Sequence, residues 1–145
     1  MEAGTAASTA RPTIHTSMRE GRVAEVAALF AQSGVIVITS FISPYHADRE
    51  RARATAPELF HLVHINSSLE ACEKRDVKGL YKKARDGKIP EFTGISAPYE
   101  APVDPDLVLD TEAGVSESCV DELLRYIERQ LIEPARDVAH NPTDI

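Results

Sequence analysis

The sequence has few of the residues that define several common classes of protein. It has no tryptophan and only two cysteines, Cys72 and Cys119, in 145 residues. Two cysteines are too few for a disulfide scaffold or for a zinc site made of cysteines alone. The longest aliphatic run, residues 35–38, is far shorter than the roughly 20 residues of a transmembrane helix. No basic segment followed by an apolar one stands near Met1, so no secretory signal is visible. We therefore expect a reduced, cytoplasmic protein with no membrane partner.

Positive charge is also scarce. Sixteen Lys and Arg against 23 Asp and Glu give a net charge of −7. This balance argues against nucleic acid as a partner, because phosphate backbones are bound by basic surfaces. The five histidines are spread along the chain without Cys or carboxylates at zinc-ligand spacing. We expect no metal site.

Helical and strand patterns alternate along the chain. Each helix shows apolar residues at helical spacing or an Arg/Ala/Glu-rich composition, and each strand is a short run dominated by aliphatic residues. The first half is predicted to contain a helix over 18–33, a strand over 35–39, a helix over 47–56 and a strand over 60–65. The second half is predicted to contain a helix capped by Ser67 or Ser68, a proline-rich loop, a strand over 107–109 and a helix capped by Ser116. Such alternation predicts an α/β fold with a parallel sheet covered by helices.

The two ends of the chain lack this periodicity. Residues 1–17 contain Ile14 as their only large aliphatic side chain, and residues 134–145 are mostly polar. Neither segment offers enough apolar surface to pack. We expect a disordered tail over 1–17, a domain over 18–133 and a C-terminal tail over 134–145.

Three segments could carry chemistry. The first, residues 39–45, follows a predicted buried strand, and ligand sites in α/β sheets lie at that edge. Ser43 stands there before a proline; the alternative is an ordinary loop serine. The second has five basic residues within residues 75–85, close to Gly79 and Gly87. It could close as a flap over an anionic substrate, or it could be a solvated helix. The third contains Phe92, which could stack on a base or simply anchor its loop.

These segments together resemble the adenylyl-sulfate kinase (APS kinase) family from about Arg22 to about Ile127. The long runs that carry the resemblance are Thr39-Ser40-Phe41-Ile42-Ser43-Pro44-Tyr45 and Arg75-Asp76-Val77-Lys78-Gly79-Leu80-Tyr81-Lys82-Lys83-Ala84-Arg85. Shorter runs occur in the right order, namely Ala24-Glu25-Val26-Ala27, Leu29-Phe30, Asp48-Arg49, Ala52-Arg53, Cys72-Glu73, Phe92-Thr93-Gly94-Ile95 and Tyr99-Glu100-Ala101-Pro102.

The resemblance implies a P-loop α/β kinase with a flexible lid. Such an enzyme moves the γ-phosphate of ATP, bridged by magnesium, onto the 3′-hydroxyl of adenosine 5′-phosphosulfate, a step of sulfate assimilation. By residue matching, Ile42, Ser43, Lys78 and Phe92 bind adenosine 5′-phosphosulfate, and Phe92 stacks on its adenine. Ser43 also matches the family's phosphoserine position, which makes it the catalytic candidate. Arg75, Lys82, Lys83 and Arg85 belong to the lid, and Gly114 falls near the adenine of ATP.

The sequence also departs from the family pattern. It contains no G-x-x-x-x-G-K-[ST] run and no Asp-Gly-Asp-Asn segment, and its one Gly-Lys pair, Gly87-Lys88, lacks the preceding glycine. We therefore expect an N-terminally truncated kinase fold without the central P-loop strand. Three hypotheses follow: a fragment of a working kinase, an inactive pseudo-kinase that binds adenosine 5′-phosphosulfate or an intact kinase subunit, and an enzyme that is active as it stands. A homodimer or an intact kinase subunit is the expected protein partner.

Overall fold

The structure, a computed structural model, describes residues 14–132. Its helices are α1 (Ile14–Gln32), α2 (His46–Thr55), α3 (Leu69–Lys74), α4 (Leu80–Arg85) and α5 (Glu117–Ile127), and its strands are β1 (Val63–Asn66) and β2 (Leu107–Asp110). A 3₁₀ turn at Pro57–Leu59 follows α2, and a π-helical turn at Glu128–Ile132 follows α5. Helix α1 begins before the predicted Met18. Residues 1–13 and 133–145 lie outside the described range. None of the described helices combines the length and the hydropathy of a membrane span.

The two strands form a parallel pair. Val63 lies opposite Leu107, and the register continues to Asn66 opposite Asp110. The connection from β1 to β2 contains α3, α4 and the proline-rich loop, as a parallel crossover requires. The second and third predicted strands and the parallel arrangement are therefore confirmed.

The first predicted strand is wrong. Residues 35–39 form no regular secondary structure and join no sheet within the described range, where the sheet consists of β1 and β2. Their side chains are exposed, up to 75% at Ile38. A β-branched run favours extended geometry, but a strand also needs a neighbour to accept and donate its backbone hydrogen bonds. Residues 14–132 provide no such neighbour here.

Gly34 follows the end of α1, which lies one residue before the predicted end of this helix at residue 33. Its φ of 86° lies in the left-handed region, and its N–H donates to the carbonyl of Ala31 at 2.9 Å. The N–H of Val35 donates to the carbonyl of Phe30 at 3.1 Å. This pair of bonds is the Schellman motif, which turns the chain away from the helix axis. Helix α1 then packs against α2.

The described core is small. The buried apolar residues are Ala28, Ala71, Ala84 and Leu109, one on each of α1, α3, α4 and β2. Ser68 caps α3 by accepting a hydrogen bond from the N–H of Ala71 at 3.1 Å, which settles the choice between Ser67 and Ser68. Ser116 precedes α5 as predicted but makes no side-chain capping bond.

Candidate functional site

Residues 42–46, which lead into α2 and include its first residue, are called the Ser43 turn. One buried arginine binds the backbone of this turn. Arg49 is 4% exposed. Its Nη1 donates to the carbonyl of Ser43 at 2.6 Å, and its Nη2 donates to the carbonyl of Glu100 at 2.8 Å. Ser43 has a φ of 39°, a left-handed conformation that is uncommon for a residue with a Cβ. The guanidinium therefore joins a strained turn to a segment about 50 residues further along the chain.

Glu100 completes this connection from the other side. Its N–H donates to the carbonyl of Pro44 at 2.8 Å, and its Oε2 accepts from the N–H of His46 at 2.6 Å. His46 is the first residue of α2, where a carboxylate also interacts favourably with the helix dipole. Backbone and side chain of Glu100 thus both contact the Ser43 turn.

A second carboxylate reaches the turn from α1. Glu20 is 7% exposed and lies beside Ser43, whose hydroxyl and backbone N–H favour the charged form of its carboxyl. Burial, with a further contribution from the charge of Asp48, nevertheless raises the pKa of the Glu20 carboxyl above its usual value. Ser43 and the charge of Arg49 act in the opposite direction without cancelling the shift.

Aromatic contacts connect the same region to the predicted flap. Tyr99 stacks on His64 of β1, with ring centroids 6.3 Å apart. Phe92 meets Tyr81 of α4 edge to face at 5.0 Å. Phe92 is half-buried, and its N–H donates to the hydroxyl of Ser96 at 2.9 Å. Residues 92–100 therefore run from α4 to the Ser43 turn. Because α4 lies within the predicted lid, residues 75–85, it is called the lid helix.

The lid helix is short and starts at a glycine. Gly79 has a φ of 64° and precedes Leu80. Asp76 accepts hydrogen bonds from the N–H groups of Leu80 and Lys82 at 2.7 and 3.0 Å. Desolvation acts upward on the Asp76 carboxyl, but the N–H groups of the first turn of α4 hold its pKa below the usual value. The left-handed conformation of Gly79 fits a glycine, and the choice between a flap and a solvated helix stays open.

The basic residues of the flap divide into two groups. Arg75 donates to the carbonyls of Thr111 and Glu112, and Arg85 pairs with the Glu73 carboxylate. Lys78, Lys82 and Lys83 are exposed. The two arginines therefore brace the base of the lid, and the three lysines present their charge to solvent.

The loop after β2 contains Gly114, the predicted ATP contact. Gly114 has a φ of 116°, and its N–H donates to the carbonyl of Thr111 at 2.9 Å. In the same loop, Glu112 accepts from the hydroxyl and N–H of Ser68 at 2.6 and 2.7 Å. These bonds from Ser68 hold the pKa of the Glu112 carboxyl below its usual value. The loop is thereby tied to the start of α3.

The described residues join the predicted site residues in two groups. Ser43 belongs to a hydrogen-bonded set with Arg49 and Glu100, Glu20 lies beside it, and Phe92 is connected to this set along the chain. Gly114 lies in the loop that Arg75 braces. Ile42 is 69% exposed, next to Ser43. The binding and catalytic roles of these residues stay predictions.

Sequence reasoning gave no role to Arg49, Glu100 or Glu20. Arg49 and Glu100 stand inside runs that carry the family resemblance, so their place in those runs was an available signal. Glu20 has no such signal, because a glutamate on an amphipathic helix normally faces solvent.

A cleft of about 520 Å³ borders Arg49, but none of the predicted site residues lines it. Within residues 14–132, no three His, Cys, Asp or Glu side chains are grouped to hold a metal ion.

Comparisons with known proteins agree with one another. The model of the Adenylylsulphate kinase family matches residues 13–110. An adenylyl-sulfate kinase of Acaryochloris marina is 49% identical over 115 residues, which are 78% of this chain and 56% of that protein. One of Bacillus licheniformis is 53% identical over 110 residues, which are 75% of this chain and 56% of that protein. The chain thus spans about half the length of the curated relatives it matches.

A solved structure shows the same fold. The APS kinase of Mycobacterium tuberculosis, in complex with AMPPNP and APS, superposes with a TM-score of 0.73 at 35% identity, covering 82% of this chain and 70% of that one. The fold is therefore that of the P-loop α/β kinases, with a parallel sheet and flanking helices. Within that class, the chain belongs to the adenylylsulphate kinase family.

Proposed function

We propose that this chain binds adenosine 5′-phosphosulfate and supplies the lid for transfer of the γ-phosphate of ATP to its 3′-hydroxyl. The observation that carries the proposal is the connection made by residues 92–100. At one end, Phe92 contacts Tyr81 of the lid helix, and at the other, Glu100 bonds to the Ser43 turn. Two elements that would bind opposite ends of a nucleotide are thus connected by one short segment.

Each predicted residue has a physical role in this proposal. Ile42 and Ser43 hold the phosphosulfate end, and Phe92 offers an aromatic face for the adenine, since stacking on a base needs no particular sequence. Lys78, Lys82 and Lys83 are the exposed lid cations, and they would balance phosphate charge when the lid closes. Arg75 and Arg85 position the lid rather than contact substrate, because their guanidinium groups already have partners.

The ATP side is less complete in these 145 residues. Gly114 would lie by the adenine of ATP, in a loop bound to Arg75 and α3. The sequence contains no G-x-x-x-x-G-K-[ST] run to surround the β- and γ-phosphates. Magnesium would bridge those phosphates in the proposed reaction, but the described residues show no ligand cluster for it. We therefore assign no magnesium ligand to this chain.

The remaining proposals concern partners and location. A homodimer, or a complex with an intact kinase subunit, would cover aliphatic side chains such as Val37 and Ile38, which are exposed here. Cys72 and Cys119 are both free thiols, in keeping with a reducing cytoplasm.

Calorimetry and a turnover assay test the proposal. Titration of the full chain with adenosine 5′-phosphosulfate should show saturable binding. Lys78→Ala should weaken that binding about tenfold, the effect of losing one charge-assisted contact. Lys88→Ala is the matched control, because Lys88 lies beyond the lid helix and pairs with Asp86 at 2.9 Å. A coupled assay for ADP release then separates binding from catalysis.

The outcomes are distinct. Binding together with ADP release supports the kinase function. Binding without ADP release supports only the phosphosulfate-binding half of the proposal. A folded chain that does not bind adenosine 5′-phosphosulfate overturns it.

A further inference from the structure

The Ser43 turn has an unusual backbone that its own residue types do not explain. A serine with a φ of 39° is in a region that residues with a Cβ visit rarely, and the following residue is Pro44. Such a conformation persists only where surrounding groups hold it, and it is found at ligand sites more often than elsewhere. The groups that hold Ser43 are therefore of functional interest.

Arg49 is suited to this task by the shape of its side chain. One guanidinium nitrogen donates to the carbonyl of Ser43 and another to the carbonyl of Glu100. A planar group with donors on separate nitrogens can bridge two carbonyls at once, whereas a lysine ammonium provides a single donor centre. The Nε of Arg49 is buried and has no hydrogen-bond partner among the described residues. Desolvating a guanidinium in this way is costly, so the two carbonyl contacts must be strong.

Glu20 is the second charged group beside the same serine. It is 7% exposed, lies next to the hydroxyl and N–H of Ser43, and feels the charge of Arg49. The carbonyl of Ser43 is therefore bound by Arg49, and its other polar groups face a buried carboxyl. A phosphoryl group on this hydroxyl would face the Glu20 carboxylate, and the charges would repel each other.

We propose that Arg49 and Glu20 are positioning residues that hold the Ser43 turn in the conformation in which Ile42 and Ser43 face the phosphosulfate. This inference rests on the proposed function, because only that proposal makes adenosine 5′-phosphosulfate the ligand of the Ser43 turn. Neither residue touches the ligand in this arrangement. Both act through the backbone of the turn.

The test compares two arginines of the same helix. Arg49→Lys keeps the charge but replaces two donor nitrogens, fixed in one plane, by a single ammonium nitrogen. Arg51→Lys is the matched control, because Arg51 has a 59% exposed side chain and its pairing with Asp48 survives in a lysine. Hydrogen exchange measured by mass spectrometry reports on the N–H groups of Ser43 and His46 in the peptide covering residues 41–46. Calorimetry with adenosine 5′-phosphosulfate reports on the site.

We expect Arg49→Lys to exchange at least tenfold faster in this peptide and to bind adenosine 5′-phosphosulfate at least tenfold more weakly. Arg51→Lys should stay within twofold of the unaltered chain in both measurements. Circular dichroism checks that each variant is folded. If Arg49→Lys does not fold, Glu20→Gln replaces it, with faster exchange in the same peptide as the expected result.

The readouts separate this inference from the function on which it rests. Unchanged exchange in a folded Arg49→Lys or Glu20→Gln chain overturns the positioning role. Faster exchange with unchanged affinity also overturns it, because the turn would then not matter to the ligand. If the unaltered chain does not bind adenosine 5′-phosphosulfate, the proposed function fails, and exchange alone decides whether Arg49 holds the turn.

Discussion

Two segments with a sequence typical of strands have opposite surroundings in this protein. Residues 35–39 read Val-Ile-Val-Ile-Thr, and β1 reads Val-His-Ile-Asn. The first is more apolar and more β-branched, yet only the second is a strand. β1 pairs with β2 in parallel register, whereas residues 35–39 are exposed and pair with no described residue. A preference for extended backbone becomes a strand only where a second strand completes its hydrogen bonds.

The strongest way to test this comparison is to shorten one aliphatic side chain in each region. Leu109 on β2 is 3% exposed, so Leu109→Ala should lower the free energy of unfolding by about 2–4 kcal/mol through lost burial and a residual cavity. Ile38→Ala, at a side chain that is 75% exposed, should change it by less than about 0.5 kcal/mol. Urea unfolding followed by circular dichroism measures both. A loss at Ile38 as large as that at Leu109 would show that residues 35–39 are covered in solution.

A smaller effect is expected where α1 turns into residues 35–39. Gly34 has a φ of 86°, so Gly34→Ala should destabilise the chain by about 1 kcal/mol. Gly21 is the matched control, because it lies inside α1 and no atom is within 4 Å of the position of an added Cβ. Gly21→Ala should therefore stabilise the chain by about 0.5–1 kcal/mol.

The two glycine substitutions are measured by the same urea unfolding experiment. Opposite signs would show that the direction of the chain after α1 is set locally, by the Schellman motif. If Gly34→Ala were neutral, the turn at the start of residues 35–39 would not depend on a left-handed residue, and the segment would be free to leave its present path.

Much of the fold could be predicted because its signals are local. The cap at Ser68, the stop at Gly34 and the strands that include Val63 and Leu107 each depend on nearby residues and their spacing. The parallel pairing followed from the alternation of helices and strands. Residues 35–39 were misread because their pattern describes a preference of the segment and contains no information on its partner.

In the candidate site, too, features set by nearby residues could be predicted, and features that need a distant partner could not. Ser43, Phe92 and the lysines of the lid could be selected from motif resemblance and local composition. The contacts that hold the Ser43 turn could not, because Glu20 and Glu100 are distant from it in the chain and meet it only after folding. Long-range hydrogen bonds of this kind leave no periodicity in a sequence. They are visible only once the helices are placed.

The smallest expected effect concerns β1 itself and depends on pH. Burial, and secondly the charge of Arg49, lower the pKa of the His64 imidazole below its usual value of 6.5. The unfolded chain then binds more protons than the folded one between the lowered value and 6.5. The free energy of unfolding should therefore rise with pH through the window just below 6.5 and level off above it.

His64→Gln should remove this rise, and His46→Gln, at an exposed histidine, should leave it in place. Urea unfolding repeated at several pH values between 5 and 7 measures the slope, in the range where histidine is the side chain that titrates. The effect also sharpens the comparison between the two segments. Residues 35–39 contain no ionisable side chain, so a pH-dependent change in this window reports on the paired strand and on Arg49 beside it. A slope that persists in His64→Gln would mean that a different group titrates, and that burial and the charge of Arg49 do not lower the pKa of the half-buried His64.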